Sequence, residues 1–406
     1  MARHYSIRNF FRQIPNALLA RYFADQGLFG DLDFEAMKDT KPDALFDAWL
    51  TLSQKQRKPM DAEFQDIFEL SCEKGFRAII DEARWQMQAT PEAVTDFIEI
   101  LSALPDHYHR AMVTYLDHGE CWKGATRFYH ADTLPYWRKR KNMGHKPAAV
   151  DDGSIQQLAI QILNYFHRTE GRGNNCVVEP FRRGELDYFF AYPEDYSQQE
   201  TEWINGEFER RPHTPAFEVI FVYSQKDGTL DLNFRGARKP MESLQGMFAT
   251  TILKLDELPP DPKDERVYDL NPLRQKGFDF VFDVGSGIEN IVVKKLRLSS
   301  RVNRGDRITL EADATKKPDA IYTLYEKINK STPLHLYNVT QVELAASIIV
   351  DADKPAKPVT IRITHPNSCS LKYDEHDLKL RDMLESSGIE PKEPAEGEET
   401  PKSAKA

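Results

Sequence analysis

Cysteine pairs, long apolar runs and an excess of positive charge are all missing from this 406-residue chain. Its four cysteines, Cys72, Cys121, Cys176 and Cys369, lie far apart in sequence. That leaves neither a disulfide framework nor a zinc knuckle to read, and it fits a reducing cytoplasm. No apolar stretch approaches the ~18 residues that span a bilayer, and the opening MARHYSIRNFFRQIPNALLARYF has no continuous apolar segment of a signal peptide. A cytoplasmic location without a membrane role is therefore expected. The balance of 54 Lys and Arg against 64 Asp and Glu gives a formal charge of -10. A surface that attracts phosphate backbones everywhere is excluded, and any nucleic-acid contact has to be local.

Catalytic signatures are missing too. VGSGIEN lacks the lysine and spacing of a phosphate-binding loop and reads as a turn. No serine sits in a nucleophile elbow. Asp261 with Lys263, and Asp319 with Lys327, are nuclease-like residue types, but no strand pattern gathers two carboxylates and a lysine around one metal.

What is present is globular material: 40% of residues are hydrophobic and 29% charged, in a chain long enough for two cores. Apolar positions recur at helical spacing from residue 15 to about 130, with Gly27, Gly75 and Gly119 as stop signals. Thr40 reads as an N-cap ahead of the stripe Leu45, Trp49 and Leu52. Short connections imply antiparallel helix neighbours, in a bundle or a short solenoid. After residue 154 the pattern turns to alternating strands. CVVEPFRR and LDYFFAY form a hairpin, AFEVIFVYSQKDGTLDLNF forms another around Asp227 and Gly228, and a strand-strand-helix order recurs three times. The expected architecture is α+β in two domains. A helical domain at 1–137 is followed by a polar linker at 138–154, then by a mainly antiparallel sheet domain with covering helices at 155–386. The proline-broken, glutamate-rich end at 387–406 is expected to be a disordered tail.

Three groups of residues are candidates for function. DHYHRAMVTYLDHGECWKGATRFYH, residues 106–130, holds four histidines and a cysteine. On a helix His107 and His109 project about 200 degrees apart and cannot share an ion. His118 and Cys121, with His130 from the next segment, are the only set with ligand-like spacing. A structural patch, with Tyr108, Met112 and Tyr115 buried and His107, Arg110 and Asp117 on the wet side, is the more economical reading. In the second group, Tyr136, Trp137, Arg138, Lys139, Arg140 and Lys141 combine aromatic rings with four cations, the footprint of a nucleic-acid contact. A further basic series in loops from 166 to 240 makes a groove only if its loops converge. In the third, Arg140 and His145 have the residue types of a metal-free ribonuclease, a proton carrier beside a cation that holds phosphate.

No catalytic constellation is assembled by these patterns. The chain reads as a cytosolic, non-catalytic binding or regulatory protein, without cofactor or resident metal, whose partner is another protein or a nucleic acid. The alternative is a nucleic-acid-processing enzyme, working through Arg140 and His145 or through carboxylates that folding alone brings to a metal.

Overall fold

The computed structural model describes residues 4–135, 137–204, 206–236, 239–260, 267–303, 305–313, 317–350 and 355–391. The chain divides into two compact units, Met1–Leu134 with Ile155–Phe217, and Pro135–Ser154 with Glu218–Ala406. Both are α+β.

In the first unit, helices α1 (Ile7–Gln13), α2 (Asn16–Asp25), α3 (Asp43–Thr51) and α4 (Gln54–Leu70) close around Phe64 of α4. Its ring lies 4.9 Å from Phe10, 4.7 Å from Tyr22 and 5.7 Å from Trp49, with Phe11 and Phe23 edge-on. Such ring clusters add to the burial energy by their edge-to-face geometry. Gly27, in the left-handed region after α2, ends that helix as expected. One other local expectation needs correction. Helix α3 begins at Asp43 with Pro42 at its N-cap, so Thr40 lies before the helix. Helix α4 starts at a Ser53/Gln56 capping box, well ahead of its apolar stripe, because the reciprocal side-chain bonds satisfy the free backbone N–H groups there.

Helices α5 (Glu73–Gln86), α6 (Pro91–Ala103), α7 (His107–Asp117) and α8 (Gly119–Thr133) follow. Gly75 does not stop a helix: it lies inside α5, where a Cβ would collide with the Leu70 backbone. Close approach, rather than termination, explains that glycine. Gly119 likewise opens α8. Gly124 of α8 faces the Glu82 carboxyl group, which occupies the space of a Cβ.

The chain next places strand β1 (Arg138–Arg140) in the second unit, then returns through α9 (Asp152–Glu170) to the first. There β2 (Cys176–Arg183) and β3 (Leu186–Pro193) pair across Gly184, which has φ +56°. This hairpin belongs with the helices because ion pairs fasten it. Arg183 donates to Asp81 of α5 at 2.9 Å and to Asp132 of α8 at 3.0 Å, while Glu179 accepts from Lys123 at 2.8 Å and from Arg127 at 3.1 Å. Strands β4 (Gln198–Ile204) and β5 (Glu207–His213) form a separate two-stranded sheet.

In the second unit, β6 (Val219–Ser224) and β7 (Thr229–Phe234) are buried at every residue, and β1 pairs with β7 so that Lys139 lies opposite Asp231. Helix α10 (Pro240–Thr251) stacks Phe248 on Phe221 at 5.2 Å. A second antiparallel sheet has the order β12-β11-β10-β8-β9, from β8 (Ile288–Ser300), β9 (Arg307–Glu311), β10 (Tyr337–Ile348), β11 (Lys357–Thr364) and β12 (Ser368–Cys369). Helices α11 (Ala320–Asn329) and α12 (Glu375–Ser386) pack Ile321, Leu380 and Leu384 into its core with Leu296, Leu298, Val342, Leu344, Ile361 and Ile363. The strands alternate apolar and polar, as expected of a sheet with one face in the core. The second and third strand-strand-helix runs share this sheet, whereas the first belongs to the sheet of β1, so the three do not build equivalent structures.

The segment 138–154, expected as a linker, thus supplies a strand, and 155–217 belongs with the helical unit. Of the expected disordered tail, residues 387–391 are described, with Ile389 in the core and Glu390 buried; 392–406 lie outside the described residues.

Candidate functional site

The histidine-rich stretch is a pair of helices. Asp106 caps α7, accepting the Tyr108 and His109 N–H groups at 2.9 and 3.0 Å and meeting His109 Nδ1 at 2.9 Å. Burial works against the ionised Asp106, but these bonds prevail and lower its pKa. His107 approaches Glu73 at 3.5 Å, and His118 rests edge-on against Phe97. Arg110 is half-buried instead of lying on the wet face: its guanidinium donates to the carbonyls of Leu101, Ser102 and Leu104, closing the C-terminal end of α6. Met112 is buried as expected, whereas Tyr108 and Tyr115 are half-buried. Cys121 lies fully inside, and burial pushes its thiol up to about 12. Among the described residues no three His, Cys, Asp or Glu side chains gather as a metal site requires, so His118, Cys121 and His130 remain apart. His130 instead lines a cleft of about 420 Å³ with Phe68, Glu69, Tyr129 and Thr133.

The basic stretch is redirected inward. Trp137, Lys139 and Arg140 are buried, and Arg138 and Lys141 are half-buried; Tyr136 lies outside the described residues. Lys139 Nζ meets Glu390 at 2.6 Å, Arg140 donates to Gln245 Oε1 at 3.2 Å and to the Pro259 carbonyl at 2.7 Å, and Lys141 reaches the Pro391 carbonyl. Burial alone would lower the Lys139 pKa, but Glu390 raises it; burial opposes ionisation of Glu390 too, and Lys139 with Arg381 lowers its pKa. These cations are committed within their own unit, which leaves little for phosphate. His145 is engaged elsewhere, its Nδ1 2.9 Å from the Gln225 carbonyl, so Arg140 and His145 have separate partners.

Several cations of the basic loops are already paired with carboxylates. Arg172 pairs with Glu170 at 2.8 Å and Asp195 at 2.7 Å, Arg182 pairs with Asp187 at 2.6 Å, and Arg183 is buried between Asp81 and Asp132. Asp261 and Lys263 lie outside the described residues, and Asp319 is the N-cap of α11, 3.7 Å from Lys276. Gly285 and Ser286 form one 3-10 turn held by Asp283.

What sequence reading passed over is the β4–β5 hairpin. In sequence its strands are joined by Asn205-Gly206, a dipeptide suited to two-residue hairpin turns; Gly206 has φ +87°, and Asn205 lies outside the described residues. Trp203 and Phe208 sit directly opposite each other with ring centroids 5.5 Å apart, yet they are 60% and 55% exposed. Strand alternation puts them with Thr201 and Arg210 on one face. The other face holds Glu200, Glu202, Glu207, Glu209, Arg211 and His213. Glu202 lies opposite Glu209, a like-charge pairing that costs stability, while Arg211 bridges diagonally to Glu202. A hairpin paired only with itself is marginally stable in water. One face therefore offers large rings to solvent and the other excess carboxylate.

The arm's chemistry suits docking better than strand addition. Pro212 and the dense charge along both strands blunt its edges. Its side chains include no assembled acid, base and nucleophile. No family model, no curated protein and no solved structure matches the chain.

Proposed function

We propose that this is a non-catalytic binding protein that engages another protein through the β4–β5 arm. The observation that carries the proposal is the solvent-facing Trp203/Phe208 pair on a hairpin that pairs with no other strand among the described residues. Exposed aromatic residues are common anchors of protein interfaces, and a partner surface would supply the packing that two strands lack. The acidic face favours a partner whose surface around the aromatic socket is basic. All four cysteines are free, which suits a cytosolic setting. No helix among the described residues is long and apolar enough to cross a membrane.

The proposal is tested by placing a photo-crosslinking phenylalanine analogue at Phe208 in the cells of origin. A discrete protein adduct that disappears with Trp203→Ala, and that the same probe at exposed Val150 does not form, is the expected outcome. Crosslinking to nucleic acid, or none above the Val150 control, overturns it.

A further inference from the structure

The arm is fastened to the first unit at its root. Every residue of β5 is exposed, and β4 is exposed except at Glu202 and Ile204, so the direction of the arm is set where it leaves the unit. The root strands, residues 194–197 and 214–217, are joined to each other through backbone. The Asp195 N–H donates to the Pro215 carbonyl at 2.7 Å and the Phe217 N–H to that of Pro193 at 2.9 Å, around a bridge between Glu194 and Ala216.

Arg172, just beyond the end of α9, ties both root strands to that helix. Only 13% of its side chain is exposed. Its Nη1 donates to Asp195 Oδ1 at 2.7 Å and its Nε to Glu170 Oε2 at 2.8 Å. The guanidinium carbon lies 3.9 Å from the ring centroid of Phe217, 5.2 Å from that of Phe166 and 5.3 Å from that of Tyr196. Asp195 and Tyr196 belong to the strand entering the arm, Phe217 to the strand leaving it, and Phe166 and Glu170 to α9. One side chain thus touches all three segments. Tyr196 adds a hydroxyl bond to the Glu170 carbonyl, and Phe217 sits edge-on to Phe166 at 4.9 Å. Burial works against the charged guanidinium, but Asp195 and Glu170 outweigh it and raise its pKa. The planar guanidinium can bridge two carboxylates while its face rests on rings, which the point charge of a lysine cannot do.

We infer that Arg172 is the positioning residue of the arm, a role whose consequence rests on the docking function proposed for the arm. By locking the root to the end of α9, it presents the Trp203/Phe208 face in one direction before a partner arrives. The ordering cost is then met on folding instead of on binding, which leaves more of the contact energy for affinity.

The clamp is tested on the full chain by pulsed electron-spin distance measurement between nitroxide-bearing amino acids incorporated at exposed Glu207 of the arm and exposed Gln65 of α4. A single narrow distance distribution is expected for wild type and a distinctly broader one for Arg172→Met. Arg172→Lys should narrow it only in part, since the charge alone cannot hold all three segments. Amide exchange at Asp195 and Phe217 should rise roughly 10-fold or more in Arg172→Met, as for the loss of one charged hydrogen bond, while the α4 amides keep their wild-type rates. Should Arg172→Met fail to fold, Asp195→Asn, which removes one side of the clamp, carries the same expectations. A broad wild-type distribution, a narrow one in the variant, or full recovery by lysine overturns the inference. The crosslinker at Phe208 separates this outcome from that of the docking proposal. If wild type forms no adduct, docking fails while the distances still decide the clamp; if the adduct forms but distances and exchange ignore Arg172→Met, the clamp alone fails.

Discussion

YWRKRK at 136–141 and EWINGEFERR at 202–211 look alike as sequence, each a short, charged segment with aromatic residues. Their fates are opposite. In the first, Trp137, Lys139 and Arg140 are buried and bound within the second unit. In the second, Trp203 and Phe208 face solvent while the charges crowd one side of a lone hairpin. The difference lies in the partners each segment finds. Carboxylates and carbonyls distant in sequence let β1 enter a core, because a buried cation is tolerated only when paired. Among the described residues the arm has no distant partner strand, so neither its rings nor its charges are drawn inward. Charge density along the chain therefore does not distinguish a binding surface from an internal strut.

Breaking the strut should have the largest effect. Lys139→Ala removes the ion-pair partner of buried Glu390 and should cost about 3 to 5 kcal/mol in denaturant unfolding, whereas a Lys139→Met and Glu390→Leu double variant should recover most of the loss. A loss under about 1 kcal/mol, the level of an exposed pair, would remove the contrast with the arm.

A second experiment sharpens the comparison through two buried glutamates. Glu390, facing Lys139, has a lowered pKa, whereas burial raises that of Glu82, which has only the Gln86 amide as a side-chain hydrogen-bond donor. The signs are opposite. Glu390 contributes stability that is present above its unfolded pKa and lost as pH falls through the folded one. The Glu82 contribution is full below its unfolded pKa and lost as pH rises through the folded one. Glu82→Gln should therefore stabilise the protein at neutral pH and flatten that part of the pH profile, while Glu390→Gln should destabilise it there. Equal pH profiles for wild type and Glu82→Gln would contradict this assignment.

The smallest effect is expected at the arm. Trp203→Ala and Phe208→Ala should each change unfolding free energy by no more than about 0.5 kcal/mol, since surface side chains away from packed features contribute little. A cost above about 2 kcal/mol would show that the rings are part of a core in solution and would count against the docking role.

Parts of the fold were legible because their signals are local. The β2–β3 and β6–β7 hairpins and the alternation of β8 and β10 depend on neighbours within a few residues or on a simple period. Gly75 misled because the Leu70 backbone it accommodates belongs to the preceding helix, so a packing need resembled a stop. The arm was recoverable from Asn205-Gly206, but the alternation around it is polar on both faces and carries little apolar contrast.

By itself, then, the sequence determined the α+β class, the helix-rich start and the main hairpins, because periodicity and turn dipeptides act through nearby backbone. Only the tertiary structure decided that 138–140 is a largely buried strand and that 155–217 belongs with the helices. Those outcomes depend on which remote carboxylates, carbonyls and apolar faces are available to pair, and spacing along the chain does not encode that.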